Sequence, residues 1–310
     1  MKFAGIIAEY DPFHNGHAWQ LAQAKALGAE RVAVAMSCSL VQRGALPLLP
    51  EAVRTRSALT CGADLVFALP APCACAGAEA FARAGVALLA AAGCDGLVFG
   101  AETPDAALLM EAAELLDSGS YRAALKAQLA GGARSFAAAR QAAAAQLASD
   151  ERVAALLDKP NNNLAVEYCR AIRSLAPRME AYPLPRQGAN HGEALHSAHG
   201  QFASASALRK LWAEGGADAV APYVPEAVFP LYQEAYAAGQ YTDFSAAGRC
   251  ELALLRSACR GKAPFADIRG VSEGLEHRLE AAVRTSTTYD ELLDALTTVR
   301  YPRARMRRLA

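Results

Sequence analysis

Five short apolar runs, separated by segments of helical composition, constrain the fold more than any other feature of this sequence. They are FAGIIA, RVAVAMS, DLVFALP, DGLVFG and, much later in the chain, MEAYPLPR. Strands this rich in apolar residues are typical of parallel sheets covered on both faces, with helices as crossovers. The pattern predicts an α/β fold with a Rossmann-like parallel sheet. Such a sheet binds its ligands beyond the carboxyl ends of the strands.

The second half of the chain changes character. Residues 104–175 are alanine-rich and helical, with breaks predicted at GGARS and at KPNNN (159–163). After MEAYPLPR come a loop rich in glycine and histidine and a helix from about Ser204. Beyond residue 220 the pattern is helical with polar breaks. We therefore predict a catalytic domain over 1–220 and an α-helical domain over 221–310.

Composition excludes some classes of protein. The 31 Lys and Arg residues balance 31 Asp and Glu residues, so a nucleic-acid partner would need a local basic patch. The eight cysteines lack C-x-x-C spacing, so we expect no structural zinc site. The N-terminus MKFAGIIAEYD is too soon acidic for a secretory signal, and no apolar run is long enough to span a bilayer. These features predict a cytoplasmic protein with no membrane partner.

The loop EYDPFHNGH follows the first predicted strand and carries two of the six histidines. Pro12 and the pair Asn15-Gly16 predict a turn, after which a helix begins at about His17. Backbone N–H groups and the helix dipole favour phosphate at such a start, and Gly16 allows close approach. Imidazoles at His14 and His17 can stabilise charge that grows in a transition state. The spacing H-x-G-H thus suits attack on a nucleotide α-phosphate.

Other interpretations of the two histidines remain open at this point. They could be structural polar groups of a loop, or they could share a zinc ion with Asp11 or Glu9. A Rossmann dinucleotide site is excluded, because no G-x-G-x-x-G follows the first strand.

The H-x-G-H motif in this context resembles the nucleotidyltransferase superfamily, whose members act at the α-phosphate of ATP or CTP. Further motifs, in the same order, resemble one branch, the tRNA(Met) cytidine acetate ligase family, over nearly the whole chain. They are GIIAEYDPFHNGHAWQLAQAKALGA, AMSCSLVQRG, GADLVFALP, LVFGAE, KPNNNLAVEY, PLPRQGANH, FASASALRKLW, RGVSEGLEHRLEAAV and VRYPRARMRRLA.

The resemblance implies an enzyme that activates acetate with ATP as acetyl-adenylate and transfers the acetyl group to N4 of the wobble cytidine of elongator tRNA(Met). Its catalytic residues would be His14 and His17, and Mg²⁺ would neutralise the triphosphate. The ATP site that the resemblance implies combines the first loop with four later positions: Ile7, Ala8, Glu9, Tyr10, Asp11, Pro12, Phe13, His14, Asn15, Gly16, His17, Ala18, Trp19, Gln20, Gly100, Asn161, Arg186 and Gln187.

Two further segments carry candidate ligands for phosphate. SASALR resembles the superfamily's second phosphate motif, with Ser204, Ser206 and Arg209; a serine that only caps a helix is the alternative. The C-terminal VRYPRARMRRLA combines Tyr301 with a basic patch that suits an anticodon loop, although a solvated helix end would look the same. The predicted RNA-binding residues are Arg300, Arg303, Arg305, Arg307 and Arg308.

The chain departs from the family pattern at several positions that we place on the loops after the second and third strands, where we expect them to affect acetate selection or RNA docking: Cys38, Ser39, Glu51, Ala52 and Ala68. It also ends before relatives do, so we expect a shortened or incomplete C-terminus. Two other functions stay open. One is an adenylyltransferase that joins AMP to a small phosphorylated acceptor, and the other is an RNA-binding protein with an inactive nucleotide fold.

Overall fold

The computed structural model describes residues 1–186, 195–197, 200–260, 265–268, 270–271 and 274–310, with only the backbone of 195–197 and 200–201. Contacts divide the chain into two units. Unit 1 consists of Met1–Gln42 and Pro47–Tyr241, and unit 2 of Arg43–Leu46 and Thr242–Ala310. Across the described residues, no helix has the length and apolar content needed to cross a membrane.

Unit 1 is built on a five-stranded sheet in which every neighbouring pair is parallel, as the apolar runs predict. The spatial order is β3-β2-β1-β4-β5. Chain order reverses between β1 and β4, so the crevice beyond their carboxyl ends is the expected ligand site. The strands are β1 (Phe3–Ala8), β2 (Arg31–Ser37), β3 (Leu65–Leu69), β4 (Gly96–Ala101) and β5 (Glu180–Pro185), and a separate hairpin pairs β6 (Leu195–Ser197) with β7 (Gly200–Phe202).

Helices cover both faces of this sheet. Alternate residues of β2 enter opposite cores: Val34 packs in a cluster with Leu21 and Trp212, and Ala33 in a cluster with Val86 and Val166. The helices of unit 1 are α1 (Asn15–Ala26), α2 (Glu51–Thr60), α3 (Ala71–Ala74), α4 (Ala78–Ala91), α5 (Ala106–Asp117), α6 (Gly119–Ala130), α7 (Phe136–Leu147), α8 (Glu151–Leu156), α9 (Pro160–Leu175), α10 (Ala205–Val220) and α11 (Phe229–Ala237).

Unit 2 is α-helical in its described residues. Its core gathers apolar side chains from all four helices, among them Leu255, Leu279, Leu293 and Met306. The helices are α12 (Phe244–Ala258), α13 (Leu275–Thr285), α14 (Tyr289–Leu296) and α15 (Arg303–Leu309).

The division between the units falls after Tyr241, later than the boundary we predicted at residue 220. The intervening residues belong to unit 1 because their aromatic side chains pack there. The Tyr232 hydroxyl donates to the Phe13 carbonyl oxygen at 2.7 Å, and the rings of Trp212 and Tyr232 meet edge to face.

Three local predictions need correction. Helix α1 begins at Asn15, two residues before the predicted start, because His14 caps it. The break predicted over residues 159–163 is shorter, since Pro160 is the first residue of α9 and the three asparagines form its first turn. Ala68 lies within β3 and not on the loop after it.

Candidate active site at the carboxyl ends of β1 and β4

The two histidines of H-x-G-H form a reciprocal cap on helix α1. His14 Nδ1 accepts the backbone N–H of Gly16 at 3.0 Å, and His17 Nδ1 accepts the backbone N–H of His14 at 3.2 Å. The two rings stack with centroids 3.7 Å apart. Since Nδ1 is an acceptor in both rings, each neutral imidazole carries its proton on Nε2 and presents Nε2–H as its donor.

Both imidazoles are held neutral at pH 7. Burial and the positive charge of Arg186 lower the pKa of His14 to about 3. Burial, His14 and Arg186 lower the pKa of His17 well below its ordinary value. The pair therefore presents neutral N–H donors and carries no imidazolium charge.

The depressed pKa of His14 predicts a loss of stability in acid. Because the folded pKa of about 3 lies below the unfolded value, the unfolded chain takes up the proton first, and stability is lost as pH falls from 6.5 toward 3. Between pH 6.5 and 5.0 the loss through this group should be about 1.6 kcal/mol in the free energy of unfolding.

Urea denaturation of the wild-type chain and of His14→Asn at several pH values tests this prediction. Asparagine can still cap the helix but does not titrate, so the variant should show the shallower dependence of unfolding free energy on pH. Equal slopes for the two proteins would contradict the prediction.

The surroundings of the two histidines assign different roles within the first loop. A Cβ at Gly16 would lie 2.9 Å from His14 Cε1, so this position must lack a side chain for His14 to cap the helix. The buried rings of Tyr10 and Phe13 pack on His17, with centroid distances of 4.8 and 5.6 Å. These two predicted ATP-site residues therefore support the histidines with their side chains and can meet a ligand only through their backbone.

Three more residues of the predicted ATP site also have protein partners. The Asp11 carboxylate is buried, accepts the Leu48 N–H at 2.6 Å and pairs with Arg209 at 3.1 Å. Asn15 Nδ2 donates to the Pro222 carbonyl oxygen, and Gln20 Nε2 to that of Val98. The hydrogen bond of Gln20 thereby connects α1, the helix that follows β1, to β4.

A second group of side chains lies beyond the end of β4. Asn161 Oδ1 accepts a hydrogen bond from Arg186 Nη1, and Asn161 Nδ2 donates to Glu102 Oε1 at 2.6 Å. A Cβ at the exposed Gly100 would stand 3.4 Å from Arg186 Cγ. The positive charge of Arg186 contributes to the lowered pKa of both histidines, so the guanidinium acts on the two imidazoles electrostatically. The structure thus places Gly100 and Asn161 beside Arg186 and pairs His14 with His17, with an electrostatic effect of Arg186 on that pair, while Gln187 lies outside the described residues.

The segment SASALR forms the start of α10. Ser204 caps the helix by accepting the Ala207 N–H at 3.3 Å, and its hydroxyl lies 3.0 Å from that of Ser206. Arg209 is turned toward Asp11, where Nη1 donates to the Asp11 carbonyl oxygen at 2.6 Å. Phosphate binding by these residues stays a prediction, and the geometry shown is a helix cap and an ion pair.

Comparison with known proteins bears on this arrangement. The model of the family described as HIGH Nucleotidyl Transferase matches residues 1–310. A tRNA(Met) cytidine acetate ligase from Syntrophotalea carbinolica is 36% identical over 311 residues, which cover 99% of this chain and 73% of that protein. One from Acetivibrio thermocellus is 33% identical, with 100% and 76% covered. The chain belongs to the tRNA(Met) cytidine acetate ligase family.

Solved structures of this family have the same fold. Thermotoga maritima TmcAL, in a crystal structure bound with alpha-thio ATP, superposes with a TM-score of 0.89 at 30% identity, covering 100% of this chain and 73% of that one. The apo crystal form of the same protein gives a TM-score of 0.91. The family predicted from the order of the motifs is therefore confirmed.

The zinc site weighed from the sequence does not fit this geometry. It would need Glu9 or Asp11 beside the two histidines. Glu9 Oε1 instead accepts the Gln42 N–H at 2.6 Å, Asp11 pairs with Arg209, and both histidine Nδ1 atoms accept backbone N–H groups. In the described part of the chain, no three His, Cys, Asp or Glu side chains are grouped to hold a metal ion.

The arginines of the C-terminal segment differ in their surroundings within unit 2. Arg303 pairs with Asp290 and Asp294, which lie one turn apart on α14. Arg300 and Arg305 lie over the Tyr301 ring, 5.9 and 5.1 Å from its centroid. Arg303 therefore ties α15 to α14.

The other C-terminal predictions concern Arg307, Arg308 and the segment RGVSEGLEHRL. Arg307 lies close enough to Glu251 that its charge opposes the rise that burial causes in the Glu251 pKa. The RNA-binding role of Arg300, Arg303, Arg305, Arg307 and Arg308 stays a prediction. In RGVSEGLEHRL, residues 269 and 272–273 lie outside the described residues, as do His191 and His199 of the histidine-rich loop and the side chain of His196.

Two residues that shape the site were missed by sequence reasoning. Arg54 is fully buried and donates to the carbonyl oxygens of Glu9 and Ser37, both at 2.7 Å, where the chain leaves β1 and β2. Glu102 caps the start of α9, where its Oε2 accepts the Asn162 N–H at 2.7 Å. A polar residue directly after a strand at the reversal of strand order is a usable signal for Glu102, whereas nothing in LPEAVRTRSAL distinguishes Arg54 from Arg56.

Proposed function

We propose that this chain is an ATP-dependent acetate ligase that forms N4-acetylcytidine in elongator tRNA(Met). In the first step an acetate oxygen attacks the α-phosphorus of ATP, the bond from that phosphorus to the bridging oxygen breaks, and pyrophosphate leaves. In the second step the cytidine N4 amine attacks the acetyl carbonyl carbon. The bond from that carbon to the oxygen bridging to phosphorus breaks, AMP leaves with the bridging oxygen, and the amine loses a proton. No acetyl-CoA takes part, and we place the enzyme in the cytoplasm.

The observation that carries the proposal is the convergence of two neutral imidazoles and Arg186 at the point where strand order reverses. Phosphoryl and nucleotidyl transfer needs positioning and charge stabilisation more than covalent work by the protein. In this mechanism the Nε2–H groups of His14 and His17 donate to α- and β-phosphate oxygens, and Arg186 steadies the departing pyrophosphate. Magnesium takes most of its oxygens from phosphates and water, so we propose that it arrives on the triphosphate.

The tRNA half of the proposal is supported by the charge of unit 2. In sequence this unit contains thirteen Lys and Arg residues and nine Asp and Glu residues, although the whole chain is neutral. A local excess of positive charge is what binding to an RNA backbone requires. We propose Arg300 and Arg305 as the first RNA ligands to test, since both guanidinium groups lie over the ring of Tyr301, which can stack on an unpaired base.

Acetate-dependent exchange of pyrophosphate into ATP tests the first step directly. We expect the purified chain to exchange label only when acetate is present, and to form N4-acetylcytidine, detected by nucleoside mass spectrometry, when a tRNA(Met) transcript is added. Exchange that needs a phosphorylated small molecule and ignores acetate would make the chain a different adenylyltransferase. ATP-independent RNA binding with no exchange would make it a binding protein.

A further inference from the structure

We infer that Glu102 is a positioning residue of the ATP site, which orients Asn161 and through it sets the guanidinium of Arg186. This inference rests on the proposed function, because it assigns a role to a residue of that same site. Glu102 follows β4 by one residue, at the reversal of strand order, and its carboxylate bonds the first turn of α9.

The carboxylate makes three hydrogen bonds to two neighbouring residues. Oε1 accepts the Asn161 backbone N–H at 3.2 Å and Asn161 Nδ2 at 2.6 Å, and Oε2 accepts the Asn162 N–H at 2.7 Å. Pro160, the first residue of α9, has no N–H, so the carboxylate engages the next two backbone donors of the helix. A negative charge is also favoured at this end of the helix dipole.

The chemistry of the carboxylate fixes which way the Asn161 amide faces. An ionised carboxylate only accepts hydrogen bonds, so the amide must turn Nδ2 toward Glu102. The amide oxygen then faces the other way, where Arg186 Nη1 donates to it. A guanidinium only donates, so the opposite orientation of the amide would break both contacts at once.

This chain of contacts gives Asn161 a more definite role than its sequence suggests. The resemblance implies only that Asn161 belongs to the ATP site. In the structure each end of that amide has a protein partner, one acidic and one basic. Asn161 therefore transmits the position of Glu102 to Arg186, whose Cγ lies next to Gly100.

Calorimetric titration of ATP into the full chain, with exchange kinetics, tests the inference on Glu102→Gln, Asn161→Ala and the double variant. Glutamine keeps the shape of the side chain but replaces one accepting oxygen with an NH₂ donor. That donor would face either the backbone N–H groups of α9 or the Asn161 Nδ2 group, which are donors themselves. We expect either single variant to weaken ATP binding about tenfold, as loss of a hydrogen bond to a charged group does. The double variant should be no weaker than Asn161→Ala, because the two residues act in series.

Glu102→Asp and Glu114→Gln complete the design. Aspartate keeps the charge and the acceptors and should restore part of the ATP affinity. Glu114→Gln removes an exposed carboxylate from α5 that pairs with Arg173 at 3.3 Å, and it should leave ATP affinity unchanged. The expected signature is a rise in KM for ATP that exceeds the fall in kcat.

Several outcomes would overturn the inference. Wild-type affinity for ATP in Glu102→Gln, losses in the double variant that multiply, or a wild-type chain that binds no ATP would each do so. The proposed function fails separately, if the wild-type chain binds ATP but shows no acetate-dependent exchange. In that case the affinities of the variants still decide the role of Glu102.

Discussion

His17→Ala is expected to lower the turnover number of acetate-dependent ATP–pyrophosphate exchange by about 100- to 1000-fold, while ATP affinity changes less than about tenfold. The reason is the state of the imidazole. His17 Nδ1 accepts the His14 backbone N–H, and the pKa of His17 is lowered. The ring is therefore neutral, with its proton on Nε2 and its orientation fixed by that hydrogen bond. Such a donor contributes most where charge grows on the phosphate oxygens between ground state and transition state.

Two further variants separate chemistry from folding in that experiment. His17→Gln can keep a side-chain acceptor for the N-cap N–H, as glutamine does in a capping box, and yet it lacks the imidazole donor. It should fold like the wild type and lose turnover nearly as fully as the alanine variant. His277→Ala removes an exposed histidine of α13 and should retain wild-type exchange. Turnover within a factor of three of wild type in His17→Ala would remove His17 from the mechanism.

How much the sequence could foretell differs between the sheet and the site. Each of the five apolar runs is a strand. Buried parallel strands need apolar side chains on both faces, so the sequence shows an apolar run for each strand whatever the order in which the strands pair. The phosphate site that the sequence predicts, in contrast, combines free backbone N–H groups at the start of α1 with the two imidazoles. The structure shows the Gly16 N–H bonded to His14 Nδ1, so the donors available to a ligand are imidazole N–H groups.

The contacts that sequence reasoning could not supply are those between distant segments. Arg186 and Asn161 are both present in the motifs. The hydrogen bond from Arg186 to Asn161 could not be predicted, because it depends on how α9 lies relative to the end of β5. Arg54 and Arg56 are two residues apart with similar neighbours. One is fully buried and the other lies in solvent, because a helix turns their side chains to different faces.

Arg54→Ala should lower the free energy of unfolding by about 4 kcal/mol or more, if the variant folds at all. The guanidinium is fully buried and its hydrogen bonds all end on carbonyl oxygens: those of Leu49, Glu9, Ser37 and Cys38. Alanine would leave these acceptors without a donor in the protein interior, and each such group costs about 1–3 kcal/mol. Chemical denaturation followed by circular dichroism gives the measurement.

Arg56→Ala is the matched control, because Arg56 lies on the same helix as Arg54. Its Nη1 forms an exposed ion pair with Glu234 Oε2 at 3.6 Å. Its effect should stay within about 0.5 kcal/mol. A loss below about 1 kcal/mol in Arg54→Ala would show that the carbonyl groups find other donors, and the role given to Arg54 would be wrong.

Arg54→Lys connects this stability to the active site. Lysine keeps the positive charge near Glu9, Asp11 and Glu51 but cannot donate in several directions from one planar group. The variant should therefore fold, and yet hold the carbonyl groups after β1 and β2 less firmly. Because the loop after β1 carries both histidines, we expect a lower rate of exchange in a protein that is still folded. Unchanged exchange in a destabilised Arg54→Lys would show that the loop is positioned by its other contacts, through Asp11 and Tyr232, without help from Arg54.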